Sequence, residues 1–230
     1  MLFNKERYLY DLCALARVFL SVWKPVNLLL FAIAVLPATV TAQDTLTAVL
    51  QRLRVQETLH FSYRETRTLQ LLAAPWQATG DLYTSPRQMV IAQQSPTPVL
   101  TVISAGRMLH IDSTQDLQRS LKLEQPFAVP GMEPFMQLLY GTGGQTELEQ
   151  HYTLSFDTAA QRWSLQLVPQ QHTQHGIIRM QLSGASGRGP DRLLLEQADG
   201  DHTEWQLSLL SQGAAADRDL QQALEPLLDH

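Results

Sequence analysis

Cysteine is almost absent from this chain, whose only example among 230 residues is Cys13. A single cysteine excludes an internal disulfide and any zinc site built from several thiolates. Basic residues are also too few for a nucleic-acid-binding surface, because 17 Lys and Arg are outnumbered by 22 Asp and Glu. Aromatic residues make up 7% and hydrophobic residues 44% of the chain. This composition is typical of a globular protein and argues against disorder or several membrane spans.

Long hydrophobic runs are missing as well, apart from a short one near the N-terminus. Leu28–Leu36 is uninterruptedly apolar, follows Lys24 and leads to the small residues of Val40–Ala42. A membrane-spanning helix needs about 20 apolar residues, so this run is too short to cross a bilayer by itself. A basic start, a short apolar core and a small-residue exit are typical of a secretory signal peptide. The alternative is an uncleaved anchor, since Leu12–Trp23 is also fairly apolar.

The signal-peptide interpretation divides the chain into two parts. We expect cleavage between Ala42 and Gln43. Residues 1–42 would then be an N-terminal extension with a cleavable signal, and residues 43–230 the folded domain. Export of this kind predicts a periplasmic protein.

Three segments have apolar residues at helical spacing. The spacing predicts a helix near Leu46–Leu53, a second beginning at Glu133 and stopped by Gly141, and a third along Leu220–Leu227. Between them, apolar residues alternate with polar ones, as expected for strands with one covered face. The predicted strands are Leu59–Leu71, Gln77–Thr84, Gln88–Gln93, Val99–Ser104, Arg107–Asp112, Ser120–Glu124, Tyr152–Phe156, Trp163–Leu167, Ile178–Leu182, Leu193–Leu195 and Trp205–Leu209.

Short strands joined by hairpin-length connections predict an α+β fold with a single meandering antiparallel sheet. Such a sheet has one apolar face, and three short helices are too small to cover it completely. A long sheet also curls, so we expect an apolar hollow between the sheet and the helices.

Patterns for catalysis or metal binding are weak. His172 and His175 lie on a polar loop without a third ligand nearby, and Asp199–Asp201 lacks the remaining ligands of a calcium loop. Glu65 and Arg67 share a strand face and are compatible with a catalytic pair, but such a pair is more often an ion pair at a sheet edge. No nucleophile, base and orienting group occur together. We therefore predict no enzyme, no catalytic residue, no metal site and no cofactor.

An ordered series of segments resembles the LolA-like family of periplasmic lipoprotein carriers. The segments are Phe61–Leu71, Gly80–Tyr83 with Pro86, Ser95-Pro96, Glu133–Met136, Trp163–Pro169 and Asp199–Asp201 before Thr203–Leu209. The resemblance covers most of the chain from Asp44 to about Ser211. It implies an incomplete β-barrel of about 10–11 strands covered by lid helices, with acylated cargo carried in the hollow.

The resemblance also implies a site and partners. Met89 and Ile91 are placed at the mouth of the hollow, and every lining candidate has ordinary core packing as its alternative. The candidates are Phe61, Tyr63, Leu82, Met89, Ile91, Leu100, Val102, Met108, Phe135, Met136, Leu139, Trp163 and Leu165. The implied partners are acyl chains of lipoproteins or lipids, an inner-membrane donor and an outer-membrane acceptor. We expect a monomer that binds no nucleic acid.

One position departs from the family pattern. Members place an arginine immediately before the proline of the second hairpin, where it ties the lid helices shut, and this chain has Ser85 there. A serine hydroxyl makes fewer hydrogen bonds than a guanidinium, so we expect a looser lid.

Three functions follow as hypotheses. The first is a periplasmic carrier or chaperone for lipoprotein, lipid or glycolipid cargo. The second is a sensing or interaction module that binds an envelope regulator. The third, a lipid-modifying enzyme, is disfavoured because the chain lacks a recognisable nucleophile constellation.

Overall fold

The protein is built around a single antiparallel sheet of eleven strands. The computed structural model describes residues 44–104, 106–112, 114–123, 132–142, 144–171 and 176–225. The strands are β1 (Leu59–Thr68), β2 (Trp76–Thr84), β3 (Gln88–Ser95), β4 (Val99–Ser104), β5 (Arg107–Asp112), β6 (Leu117–Lys122), β7 (Tyr152–Ala159), β8 (Arg162–Pro169), β9 (Ile177–Ala185), β10 (Arg192–Gln197) and β11 (His202–Gln212). Their order is β6-β5-β4-β3-β2-β1-β11-β10-β9-β8-β7. Within the described ranges, the edge strands β6 and β7 do not pair, so the sheet is open, as predicted.

The first and last strands meet at the middle of the sheet. β1 pairs with β11 over its whole length, from Leu59 opposite Gln212 to Thr68 opposite His202. Every other pair of neighbours is sequential in the chain, from β1 to β6 and from β7 to β11. The β1–β11 pairing is therefore the contact that joins the two halves of the chain.

Four helices lie in the described part of the chain: α1 (Leu46–Leu53), α2 (Glu133–Tyr140), α3 (Gly144–His151) and α4 (Ala214–Leu224). Thr45 is the N-cap of α1, and its hydroxyl accepts a hydrogen bond from the backbone N–H of Ala48 at 3.2 Å. Pro134 stands in the first turn of α2, where its missing N–H costs nothing.

The helices divide between the two faces of the sheet. Buried residues of α1, α2 and α3, including Leu50, Leu139 and Leu148, pack in one cluster with Trp163 and Leu165 of β8. A smaller cluster on the opposite face joins Leu220 of α4 to Tyr83 and Val90. Because successive strand residues point to opposite faces, Leu82 belongs to the first cluster and its neighbour Tyr83 to the second.

Helix α3 was missed by the sequence analysis, which predicted three helices. Leu148 alone among its eight residues is buried, so the segment has no apolar stripe to recognise. The predicted third helix corresponds to α4, and its extension to Leu227 lies outside the described residues.

Three strand predictions need correction. β1 ends at Thr68 rather than Leu71, whose side chain is 97% exposed in the following turn. β6 spans Leu117–Lys122 rather than Ser120–Glu124. The three consecutive leucines Leu193–Leu195 predict a more deeply covered strand, but the segment alternates in burial like the other strands.

Candidate functional site

A cavity of about 790 Å³ lies against the face of the sheet that α1 and α2 cover. This volume is in the range of small-molecule pockets. The walls come from α1 and the segment after it, from β1, β2 and β11, from α2, and from the β9–β10 loop. The lining residues are 51–57, Leu59, Phe61, Leu82, Thr84, Phe135, Leu139, Ala185, Gly187–Asp191, Leu207–Leu209 and Gln212.

The interior of the cavity is apolar and its mouth is polar. Its buried apolar side chains come from five elements and are Leu53, Phe61, Leu82, Phe135, Leu139 and Leu207. Exposed lining residues such as Gln56, Glu57 and Arg188 lie at the solvent side. Leu209 also lines the cavity although its side chain is 53% exposed, which marks the opening to solvent.

A buried carboxylate fixes one wall. Asp44 accepts a hydrogen bond from Arg52 Nη2 at 2.8 Å and another from the backbone N–H of Gly187 at 3.0 Å. The bond to the Arg52 guanidinium lowers the pKa of the Asp44 carboxyl, so this group stays ionised. Arg52 Nη1 and Trp163 Nε1 both donate to the carbonyl of Arg188, at 3.0 and 3.1 Å. These bonds hold the start of α1 against the β9–β10 loop.

The C-terminal end of helix α2 is bonded to two neighbouring segments. The backbone N–H of Val55 donates to the carbonyl of Leu139 at 3.1 Å, which joins the segment after α1 to α2. The hydroxyl of Tyr140 donates to the carbonyl of Gln88, the first residue of β3, at 3.4 Å. Burial raises the pKa of Tyr140, so its hydroxyl keeps the proton that it donates.

Ser85, at the position of the family arginine, stabilises its own turn. Its buried hydroxyl donates to the carbonyl of Gln88 at 3.0 Å and accepts from the backbone N–H of Gln88 at 3.2 Å. Tyr140 of α2 reaches the same turn from the helix side. The structure thus connects helix and hairpin through a tyrosine, a contact that the sequence analysis did not anticipate.

Four of the predicted lining residues do line the cavity: Phe61, Leu82, Phe135 and Leu139. Five others belong to the buried core beside it: Tyr63, Met89, Met136, Trp163 and Leu165. Ile91 and Met108 are partly buried and pack against that core.

Met89 is not at a mouth. Its side chain has no exposed surface, and it packs in the core cluster that also contains Met136 and Leu139. The residue follows Gln88, to which α2 is bonded, so this end of β3 is covered. The resemblance had placed Met89 at the opening, and the structure corrects that position.

Leu100 and Val102 lie on the opposite face of the sheet. They pack with Tyr83, Val90 and Leu220 beneath α4. Val102 pairs with Val90, and Leu100 with Ala92, so the strand register places both away from Met89 and the cavity. Their prediction as lining residues is corrected accordingly.

Three parts of the lining were not predicted. They are the segment Arg54–Glu57 after α1, the β9–β10 loop near Arg188–Asp191, and the strand residues Leu207 and Leu209. The alternation of β11 predicted that Leu207 and Leu209 share a face. No local pattern indicated that this face adjoins Phe61, which pairs with Leu209 across β1 and β11.

Glu65 and Arg67, the candidate catalytic pair, form an ion pair with each other. Arg67 Nε donates to Glu65 Oε1 at 2.6 Å, and the Glu65 residue is only 3% exposed. The pair lies on β1, a central strand, rather than at a sheet edge as the sequence analysis had expected. The same Arg67 guanidinium lies over the ring of Trp76, 4.7 Å from the ring centroid.

The described ranges contain neither a metal-binding cluster nor a membrane-spanning helix. These residues contain no group of three or more His, Cys, Asp or Glu placed to hold a metal ion. His172 and His175 lie outside them. None of the described helices is long and apolar enough to cross a bilayer.

Comparison with known proteins gives one match by sequence family. The model of the family described as outer membrane lipoprotein carrier protein LolA-like matches residues 37–224. No curated protein matches the chain by sequence.

Two solved structures illustrate the structural likeness. A LolA superfamily protein from Nitrosomonas europaea is 10% identical, with coverage of 74% of this chain and 93% of that chain and a TM-score of 0.40. A DUF1329 family protein from Desulfovibrio piger is also 10% identical, with coverage of 69% and 87% and a TM-score of 0.38. These TM-scores are low, so the assignment depends on the sequence match, which spans most of the chain. The chain belongs to the LolA-like family of outer membrane lipoprotein carrier proteins.

Proposed function

We propose that this protein is a carrier that binds acylated cargo, a lipoprotein or a lipid, in the 790 Å³ cavity. The observation that supports this proposal is an apolar interior that remains open to solvent beside Leu209. The contact residues would be the six buried lining side chains together with Leu209. The family assignment supports the same class of cargo.

Burial of the acyl chain supplies the binding energy in this mechanism. Each CH₂ group removed from water contributes about 0.8 kcal/mol, so about ten of them contribute roughly 8 kcal/mol before the cost of association. No bond is made or broken. Release then requires an acceptor that covers the chain equally well, since exposure to water costs the same free energy.

Location and partners form a second part of the proposal. The carrier would work in the periplasm, as a monomer, between an inner-membrane donor and an outer-membrane acceptor. The signal peptide would be cleaved on export, between Ala42 and Gln43, which lie outside the described residues. N-terminal sequencing of the exported protein tests this step, and retention of Leu28–Leu36 on the product would contradict it.

Two adjacent leucines provide a matched test of the cavity. Leu209 lines it and is 53% exposed, whereas Leu210 is 56% exposed and is not among the lining residues. We expect Leu209→Glu to weaken binding of a fluorescent fatty-acyl probe at least about tenfold, because a carboxylate at the opening must be desolvated by the chain. Leu210→Glu should bind the probe like the unmodified protein.

Both variants should keep their melting temperature within a few degrees, since both side chains already face solvent. Equal probe affinity of the two variants would contradict the proposed site. Native mass spectrometry of protein purified from the periplasm gives an independent test. A co-purifying lipid or acylated peptide supports the carrier, and a stable protein partner with an empty cavity contradicts it.

A further inference from the structure

More arginines than carboxylates line the cavity. Arg52, Arg54 and Arg188 line it. Arg52 is already paired with Asp44 at 2.8 Å, so its charge is largely neutralised. Arg188 is exposed, and no carboxylate lies within ion-pair distance of it among the residues that the structure describes. Arg188 is therefore the main cation available to a ligand at the opening.

The two carboxylates of the lining differ in availability. Asp191 is held by Arg162 through two hydrogen bonds of 2.5 and 2.9 Å, which neutralises it. Glu57 is exposed. Among the described lining residues, the exposed charged groups without an ion pair are consequently Arg188 and Glu57. The guanidinium of Arg54 is directed elsewhere, because it donates to the carbonyl of Thr142 at 3.3 Å and borders a separate, smaller cavity with Gly144 and Glu147.

The backbone of Arg188 is held in position. Its carbonyl accepts hydrogen bonds from both Arg52 and Trp163, at 3.0 and 3.1 Å. Because this main chain is fixed, less conformational freedom is lost when the side chain binds a ligand. A guanidinium group also matches the oxygens of a phosphate in a bidentate geometry.

We infer that the cavity takes a lipid with a phosphate head group, its acyl chain in the apolar interior and its phosphate bound by Arg188. This inference rests on the proposed function and narrows its cargo. The acylated cysteine of a lipoprotein carries no phosphate, so an unpaired guanidinium at the mouth favours a phospholipid over a lipoprotein.

A pair of ligands that differ only in the phosphate tests the inference. Monopalmitoyl lysophosphatidic acid and monopalmitoyl glycerol, both below their micellar concentrations, would compete with the fluorescent acyl probe. We expect the phosphate-bearing lipid to bind about threefold to fivefold more tightly at low salt, the magnitude of one exposed charge pair. The ratio should approach one near 0.5 M salt, because such pairs are screened.

Two charge variants should move this ratio in opposite directions. Arg188→Gln removes the cation and should lower the preference for the phosphate-bearing lipid several-fold. Glu57→Gln removes the opposing carboxylate and should raise it. Arg192→Gln is the control, because Arg192 is exposed, pairs with Glu204 at 2.8 Å and does not line the cavity. Its ratio should equal that of the unmodified protein.

The outcomes separate the inference from the proposed function. Tight but equal binding of both lipids, unchanged by Arg188→Gln, would overturn the head-group inference and leave the carrier proposal standing. Binding of neither lipid would refute the carrier proposal itself. Displacement of the probe by inorganic phosphate at the same concentration would also overturn the inference, since the acyl chain would then contribute nothing.

Discussion

Asp44 is the position where a single substitution should loosen the cavity without touching its apolar interior. Its carboxylate joins the start of α1 to the β9–β10 loop through Arg52 and the backbone N–H of Gly187. Asp44→Asn keeps the size of the side chain but removes its charge. One of the two carboxylate oxygens is replaced by an NH₂ group, which cannot accept the hydrogen bond that Arg52 or Gly187 donates to that oxygen. We therefore expect α1 and the loop to separate more easily.

The magnitude follows from the two hydrogen bonds. Hydrogen bonds to charged groups contribute about 1.5–3 kcal/mol each, and the asparagine can still accept one of them. Arg52 is partly exposed, so water solvates it after the change and reduces the cost. We expect a loss of about 2 kcal/mol in the free energy of unfolding, or about 4–8 °C in melting temperature for a domain of this size.

The effect should depend on pH with a defined sign. The bond to Arg52 lowers the pKa of Asp44 in the folded state below its value in the unfolded chain. The stabilisation is therefore complete above the unfolded-state pKa, and it is lost as the pH falls through the lower folded-state value. The difference between the unmodified protein and Asp44→Asn should be constant from about pH 5 to 8 and should shrink towards zero in acid.

Urea unfolding at several pH values measures this difference, and hydrogen exchange of residues 185–191 reports the local opening. Asp191→Asn is the control, because Asp191 and Arg162 form a surface pair with side chains 42% and 47% exposed. Such pairs contribute about 0–1 kcal/mol. An Asp44→Asn variant as stable as the control, or a deficit that persists undiminished in acid, would refute the reasoning.

Two further predictions concern the core and the lid. Met89→Glu should lower the free energy of unfolding by several kcal/mol, enough to unfold a typical domain at neutral pH, because the side chain has no exposed surface. Met89→Leu should lower it by less than about 1.5 kcal/mol. A folded Met89→Glu protein in circular dichroism would contradict the core position of this residue. Tyr140→Phe removes the donor to Gln88 and should speed amide exchange in α2 while lowering global stability by only about 1 kcal/mol. Unchanged exchange in α2 would show that other contacts hold the helix.

The sequence alone determined which segments are helices and strands wherever the spacing of apolar residues was regular. Period-two alternation identified strands such as β8, and the spacing within α1 and α2 identified helices, because one covered face leaves a readable period. α3 escaped prediction for the same physical reason, since Leu148 is its one buried residue.

The sequence also predicted four members of the cavity, but only tertiary structure decided which others join them. Alternation shows that Leu100 and Val102 share a face, but it does not tell whether that face meets α2 or α4. That choice depends on where the connecting helices pack, which is a property of the whole sheet.

The pairing of β1 with β11 is the decisive tertiary feature. It brings Leu209 opposite Phe61, two residues far apart in the chain, and so places a C-terminal strand in the cavity wall. Local periodicity carries no information about such a pairing, because backbone hydrogen bonds between strands are the same whichever residues make them. The sequence by itself determined the elements and their apolar faces, and long-range pairing and helix placement decided the shape and opening of the cavity between them.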